Sequence, residues 1–174
     1  MALPLLTLYA TTAGIFGLNP PPPPAPTTLT PTVVDASHKL AGYGPECACD
    51  GNDNTFWLVP GGSRMELMSR DKWLVLDLGE EASRPVHALS LLGKVGSFGA
   101  ARVMLEESES PRGPWRCVSR FRALGGPLKW QRVDLKGDGG VSSRFVRLYV
   151  RREGHATFRH QVHGVQFHLA PELE

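Results

Sequence analysis

A chain of 174 residues with 41% hydrophobic content has room for one ordinary domain with an appendage and can fill a single core, which excludes a disordered protein. The net charge is a mild +2, but residues 1–110 carry 7 basic and 12 acidic side chains while residues 111–174 carry 12 and 5. The arginine-rich part reads as arginines on the outward faces of strands, with an acidic partner, anionic lipid or phosphate as the functional counterpart.

Residues 1–32 read as an appendage, because no charged side chain precedes Asp35 and eight of the fifteen prolines lie between Pro4 and Pro31. Residues 1–18 are apolar with Thr and Gly interspersed. A secretory signal needs a basic n-region and a mitochondrial transit peptide needs arginines, and neither is present. As a membrane helix the stretch is borderline in length and broken by Pro4. Pro20–Pro24 read as a polyproline II spacer. The expectation is an extended arm that anchors the chain in a groove of a larger protein assembly, with an uncleaved signal or membrane anchor as the alternative.

The stretch from Pro45 to Trp57 demands a tight reversal at Asp50-Gly51-Asn52-Asp53-Asn54, where Gly takes positive φ freely and Asn and Asp bond nearby amides. Phe56 and Trp57 then return large apolar area to a core. From Val33 onward the period is two. Strands are predicted at 73–78, with Leu74, Leu76 and Leu78 on one face, and at 86–92, followed by a glycine-rich loop over 93–99. Further strands fall at 102–107, 115–121, 128–135, 145–150 and 161–169, separated by the turn formers Ser110-Pro111-Arg112-Gly113-Pro114, Gly125-Gly126-Pro127 and Gly137-Asp138-Gly139-Gly140. Seven or eight regularly spaced strands with no amphipathic helix and no internal repeat predict an all-β antiparallel jelly-roll sandwich over residues 33–170, with 171–174 as a tail.

The order of motifs resembles the discoidin or coagulation factor C-domain family of galactose-binding-like jelly rolls. Pro45, Glu46, Asp50, Gly51 and Asn52 match its opening segment, Thr55 and Trp57 its Thr-x-Trp, and Trp73, Asp77, Leu78 and Gly79 its next strand. Ser110, Pro111, Gly113, Trp115 and Val118 match a later turn and strand, and Arg144–Leu148 the Arg-Phe-Val-Arg-Leu segment. Extracellular members close their ends with a disulfide, whereas Cys47, Cys49 and Cys117 form an odd set with no framework or zinc spacing. The resemblance therefore leans toward intracellular members, such as the small β-sandwich subunit of the intraflagellar transport complex and the Doc-type subunit of the anaphase-promoting complex. Cys49 reads as a small buried hydrophobe.

The resemblance implies an opening loop that can wrap calcium, for which Asp50, Asn52, Asp53 and Thr55 supply side-chain oxygens. The last strand, where relatives often place a further carboxylate, offers only Gln166, so an Asx turn that pins the loop is preferred. It also implies ligand-binding loops at one end of the roll: 60–71, with Arg64, Met65, Leu67, Met68 and Arg70; 94–98, with Phe98; and 151–158, with Arg151, Arg152, His155 and Phe158. A greasy spike ringed by base suits a lipid surface or a protein partner. His155, His160, His163 and His168 have spacings that match no metal motif and read as a solvated loop and strand set. No nucleophile-base or phosphate-loop spacing occurs. The expected function is a non-catalytic module docked by its arm and loops within an intracellular, cytoplasmic assembly, a ciliary or flagellar one included, with no nucleic acid and no resident cofactor. The alternative is a carbohydrate- or phospholipid-binding domain in which calcium takes part.

Overall fold

The computed structural model describes residues 27–59, 72–80, 84–95, 101–123, 125–135, 140–151 and 160–170. Ten strands follow in order: β1 (Thr28–Leu29), β2 (Thr32–Ala36), β3 (Trp57–Val59), β4 (Lys72–Asp77), β5 (Val86–Val95), β6 (Ala101–Ser108), β7 (Arg116–Ala123), β8 (Lys129–Asp134), β9 (Phe145–Arg151) and β10 (His160–Leu169). A single turn of 3₁₀ helix covers Pro45–Ala48. Among the described residues no helix is long and apolar enough to cross a membrane.

The strands form two antiparallel sheets. In the front sheet the order is β1-β10-β5-β8, with β3 also paired to β10; in the back sheet it is β2-β4-β9-β6-β7. The inward residues follow the predicted alternation: Leu74 and Leu76 on β4, and Val146, Leu148 and Val150 on β9, meet Leu89, Leu91, Val165, Phe167 and Leu169 of the front sheet in one core. Every strand read from the sequence is present within a few residues. Thr28 and Leu29, assigned to the arm by composition, pair with His168 and Phe167, so the sheet already begins there.

Two motifs far apart in sequence are joined physically. Arg144 donates from Nε and Nη2 to the two carboxylate oxygens of Asp77, each at 2.8 Å, and the Leu78 amide donates to the Arg144 carbonyl at 2.9 Å. This bidentate geometry fixes β4 against the start of β9. The Arg144 guanidinium holds the Asp77 carboxyl below the usual carboxylate range. Gly140, at φ +79°, has the Val86 carbonyl oxygen 2.1 Å from where a Cβ would stand, so only glycine suits this turn.

Candidate functional site

The predicted calcium turn forms as a closed unit. Asp50 Oδ1 accepts from the Asn52 amide at 2.9 Å and Oδ2 from the Thr55 hydroxyl at 2.6 Å, while Asn52 Oδ1 accepts from the Asn54 amide at 3.0 Å. These are the Asx-turn bonds preferred from the sequence. Asp50 and Asp53 are the only carboxylates of this turn, and among the described residues no group of three or more His, Cys, Asp or Glu converges on a point. Cys49 packs beside the core. Burial, and then the Asp50 charge, push its thiol up to about 12, so it stays protonated.

Two strand histidines are not solvated as expected: His163 and His168 are only 7% and 9% exposed. The register shift between Val162 and Gly164 breaks the alternation that the sequence suggested. His163 Nδ1 donates to the Asp53 carbonyl at 2.9 Å, tying the opening turn to β10. Its ring lies 5.0 Å from that of Phe56, which stacks on Tyr43 at 4.9 Å.

The loop residues Arg64, Met65, Leu67, Met68, Arg70, Phe98, Arg152, His155 and Phe158 lie outside the described residues, and Arg151 is placed by its backbone at the end of β9. The described residues instead bring a site together on the outward face of the front sheet. Register aligns Gly164, Leu92 and Trp130 in one row across β10, β5 and β8, then Gln166, Ser90 and Arg132, then His168, Ala88 and Asp134. The Trp130 indole reaches across Leu92 to β10: a Cβ on Gly164 would lie 2.5 Å from Cη2 of Trp130 and 3.3 Å from Leu92 Cβ. Glycine at 164 therefore makes room for the ring, which packs on the sheet and remains 39% exposed. A groove of about 40 Å³ runs from the indole past Gln166 to Asp53 and Gly51.

Beside the indole, Arg132 is held by two neighbours. Its Nε donates to Asp134 Oδ1 at 3.2 Å and its Nη2 lies 3.0 Å from His87 Nε2. A guanidinium can only donate, so His87 accepts through Nε2 and carries its proton on Nδ1. His168 Nε2 shares a 2.7 Å hydrogen bond with the Ser90 hydroxyl. Burial first, then the charge of Arg132, lower the His168 pKa from 6.5, against an opposite pull from Asp134.

Because the folded pKa lies below the unfolded one, the unfolded chain binds the proton more readily between the two values. Stability from His168 is present above about pH 6.5 and falls as the pH drops toward the lowered value. Thermal melts at pH 7 and pH 5 should show a decline that shrinks in His168→Gln; an unchanged decline would assign it to other groups.

Trp130 escapes notice in the sequence because it stands inside the strand predicted at 128–135 and in none of the motifs. The available signal is parity: Trp130 shares its face with Arg132 and Asp134, opposite Val133 and Leu135. An indole on the polar side of a strand has no core to fill.

No protein-family model and no curated protein matches the chain. Solved structures do match, and they define the fold as a galactose-binding-like, discoidin-type jelly roll. A truncated AlyQ with CBM32 and alginate lyase domains superposes with a TM-score of 0.61 at 16% identity over 85% of this chain; the chain spans only 35% of that structure. The CBM32 of AlyQ in complex with 4,5-unsaturated mannuronic acid gives 0.60 at 16% identity, covering 81% of this chain and 97% of the other. The family 32 CBM from C. perfringens NanJ in complex with galactose gives 0.57 at 14%, covering 82% and 99%.

Proposed function

We propose that this domain is a non-catalytic carbohydrate-binding module that takes a sugar ring on Trp130. The observation that carries the reading is the indole laid along the front sheet, one side packed on Leu92 and Gly164 and 39% of the residue exposed. A pyranose presents an apolar face of C–H groups that suits such a ring, and its hydroxyls suit planar polar groups at the rim. Gln166, Arg132 and Asp53 supply an amide, a guanidinium and a carboxylate around the same indole. The carbohydrate-bound CBM32 structures of the same fold support this reading.

The test is titration of the full chain with neutral and acidic oligosaccharides, followed by calorimetry and tryptophan fluorescence. Trp130→Ala should weaken binding about tenfold or more, a loss of about 1.4 kcal/mol, with the melting temperature nearly unchanged. Gly164→Val, which lifts the indole without removing it, should act in the same direction. Unchanged binding by both variants, or no saccharide bound by the wild type, would overturn the reading. Docking within a multiprotein assembly through residues 1–32 and the three loops is the competing proposal, and it predicts a fixed set of co-purifying proteins that deletion of residues 1–32 abolishes.

A further inference from the structure

We propose a second site on the opposite side of the sandwich, a recess on the outward face of the back sheet that binds a carboxylate or sulfate group carried on a saccharide chain. The recess measures about 290 Å³ and is lined by Arg102, Met104, Glu106, Arg120, Arg147 and Tyr149. These residues come from the middle of β6, β7 and β9, where register sets Arg120 and Tyr149 on either side of Met104, and Arg147 beside Glu106. The lining carries three guanidinium groups and one carboxylate.

The one carboxylate is already engaged. Glu106 Oε2 accepts from Arg147 Nε at 2.6 Å, and Arg147 Nη2 lies 2.6 Å from the same oxygen. The Arg147 guanidinium is stacked 4.7 Å from the Trp115 ring and 5.9 Å from that of Tyr149. A guanidinium has five N–H donors, so three of those on Arg147 are not spent on Glu106, and the plane that carries them is held in place before any ligand arrives.

Arg120, exposed on β7, has no ion-pair partner among the described residues. One row away, Arg102 stands directly opposite Arg122 on β7 and opposite Arg151 on β9. The fixed and the exposed guanidinium thus suit bidentate capture of a carboxylate or sulfate, while Met104 and Tyr149 offer an apolar wall to the ring that bears it. A membrane surface fits poorly, because the arginines line a hollow rather than ring a protruding apolar tip.

The choice of a saccharide carrier rests on the carbohydrate reading above; the anion site rests on the back sheet alone. The experiment titrates the full chain with polygalacturonate oligomers, a neutral galactan of equal length and a DNA duplex, at two salt concentrations. Polygalacturonate should bind more tightly than the galactan, and the difference should shrink with salt. Arg120→Ala should weaken polygalacturonate binding about tenfold and leave the galactan unaffected, whereas Trp130→Ala should act on the galactan. If Trp130→Ala changes nothing while Arg120→Ala still acts, the front-sheet site fails and this one stands.

Arg120→Lys and Arg120→Glu separate ligand binding from a structural role. A charge that merely keeps the β7 edge from pairing is replaced equally well by either sign, whereas an anion site tolerates Lys and rejects Glu. Equal binding by the Lys and Glu variants, or DNA bound as tightly as polygalacturonate, would overturn the proposal.

Discussion

Trp57→Ala will unfold about 4 kcal/mol more readily than the wild type, within the range of about 3–5 kcal/mol for emptying a buried aromatic site. Trp57 is 1% exposed, and its indole Nε1 donates to the His38 carbonyl at 3.0 Å. It also starts β3, whose three residues pair with His160, Gln161 and Val162 of β10. The Leu58 amide, next in sequence, donates to the Tyr43 carbonyl at 3.2 Å, so the side chain anchors a stretch whose backbone ties reach both β10 and the loop before the 3₁₀ turn. Denaturant titration should move the midpoint downward with little change in slope. Trp57→Phe, which keeps most of the apolar area and loses the hydrogen bond, should lose about 1–2 kcal/mol. A loss below about 1 kcal/mol in the Ala variant would show that the surrounding core collapses onto the space.

The fold is legible in the sequence because its long strands each bury one face, so that alternation and burial say the same thing. Leu74, Leu76 and Leu78, like Val146, Leu148 and Val150, are core residues as their spacing implies. What escapes is what alternation cannot encode. β1 and β3 have two and three residues, too few to establish a period, and both are held by pairing with β10. The bulge at Val162 and Gly164 reassigns faces along the last strand and brings His163 under Phe56.

The site was less legible for a different reason. The residues that carry the family resemblance turn out to build the fold. Asp50 and Thr55 close a turn, Asp77 and Arg144 lock two strands, and Trp115 stacks on Arg147. A ligand site need not use any of them, since binding residues are grafted on a fold that other contacts maintain. Trp130 lies outside every motif, and its position is explained only by a glycine two strands away. Arg120 belongs to the C-terminal excess of arginine that the charge distribution reveals, and the outward strand face expected for those arginines is where Arg120 and Arg147 are found.

Glu107→Ala will lower stability by about 3 kcal/mol, a large effect for a charged residue, because Glu107 is 2% exposed and serves three groups at once. Its Oε2 accepts from the amides of Ser142 and Ser143 at 2.9 and 3.2 Å, and its Oε1 pairs with Arg116. Hydrogen bonds to a charged acceptor contribute about 1.5–3 kcal/mol each, and an amide left buried without a partner retains its desolvation cost. Full disruption of a buried ion pair costs about 3–5 kcal/mol, but the Arg116 side chain is 64% exposed and regains water, so the lower end applies. The consequence should be local first. The carboxylate holds residues 142 and 143 beside the Val86–Val141 bridge, where the two amides and carbonyls exchange hydrogen bonds of 2.8 and 3.0 Å. Hydrogen exchange at Val86 and Val141 should therefore accelerate in Glu107→Ala before exchange at the core amides of β9 does. Glu107→Gln, which keeps one acceptor and the shape but loses the charge, should retain most of the protection. Equal acceleration throughout β9 would mean that the carboxylate holds the whole sheet rather than this turn.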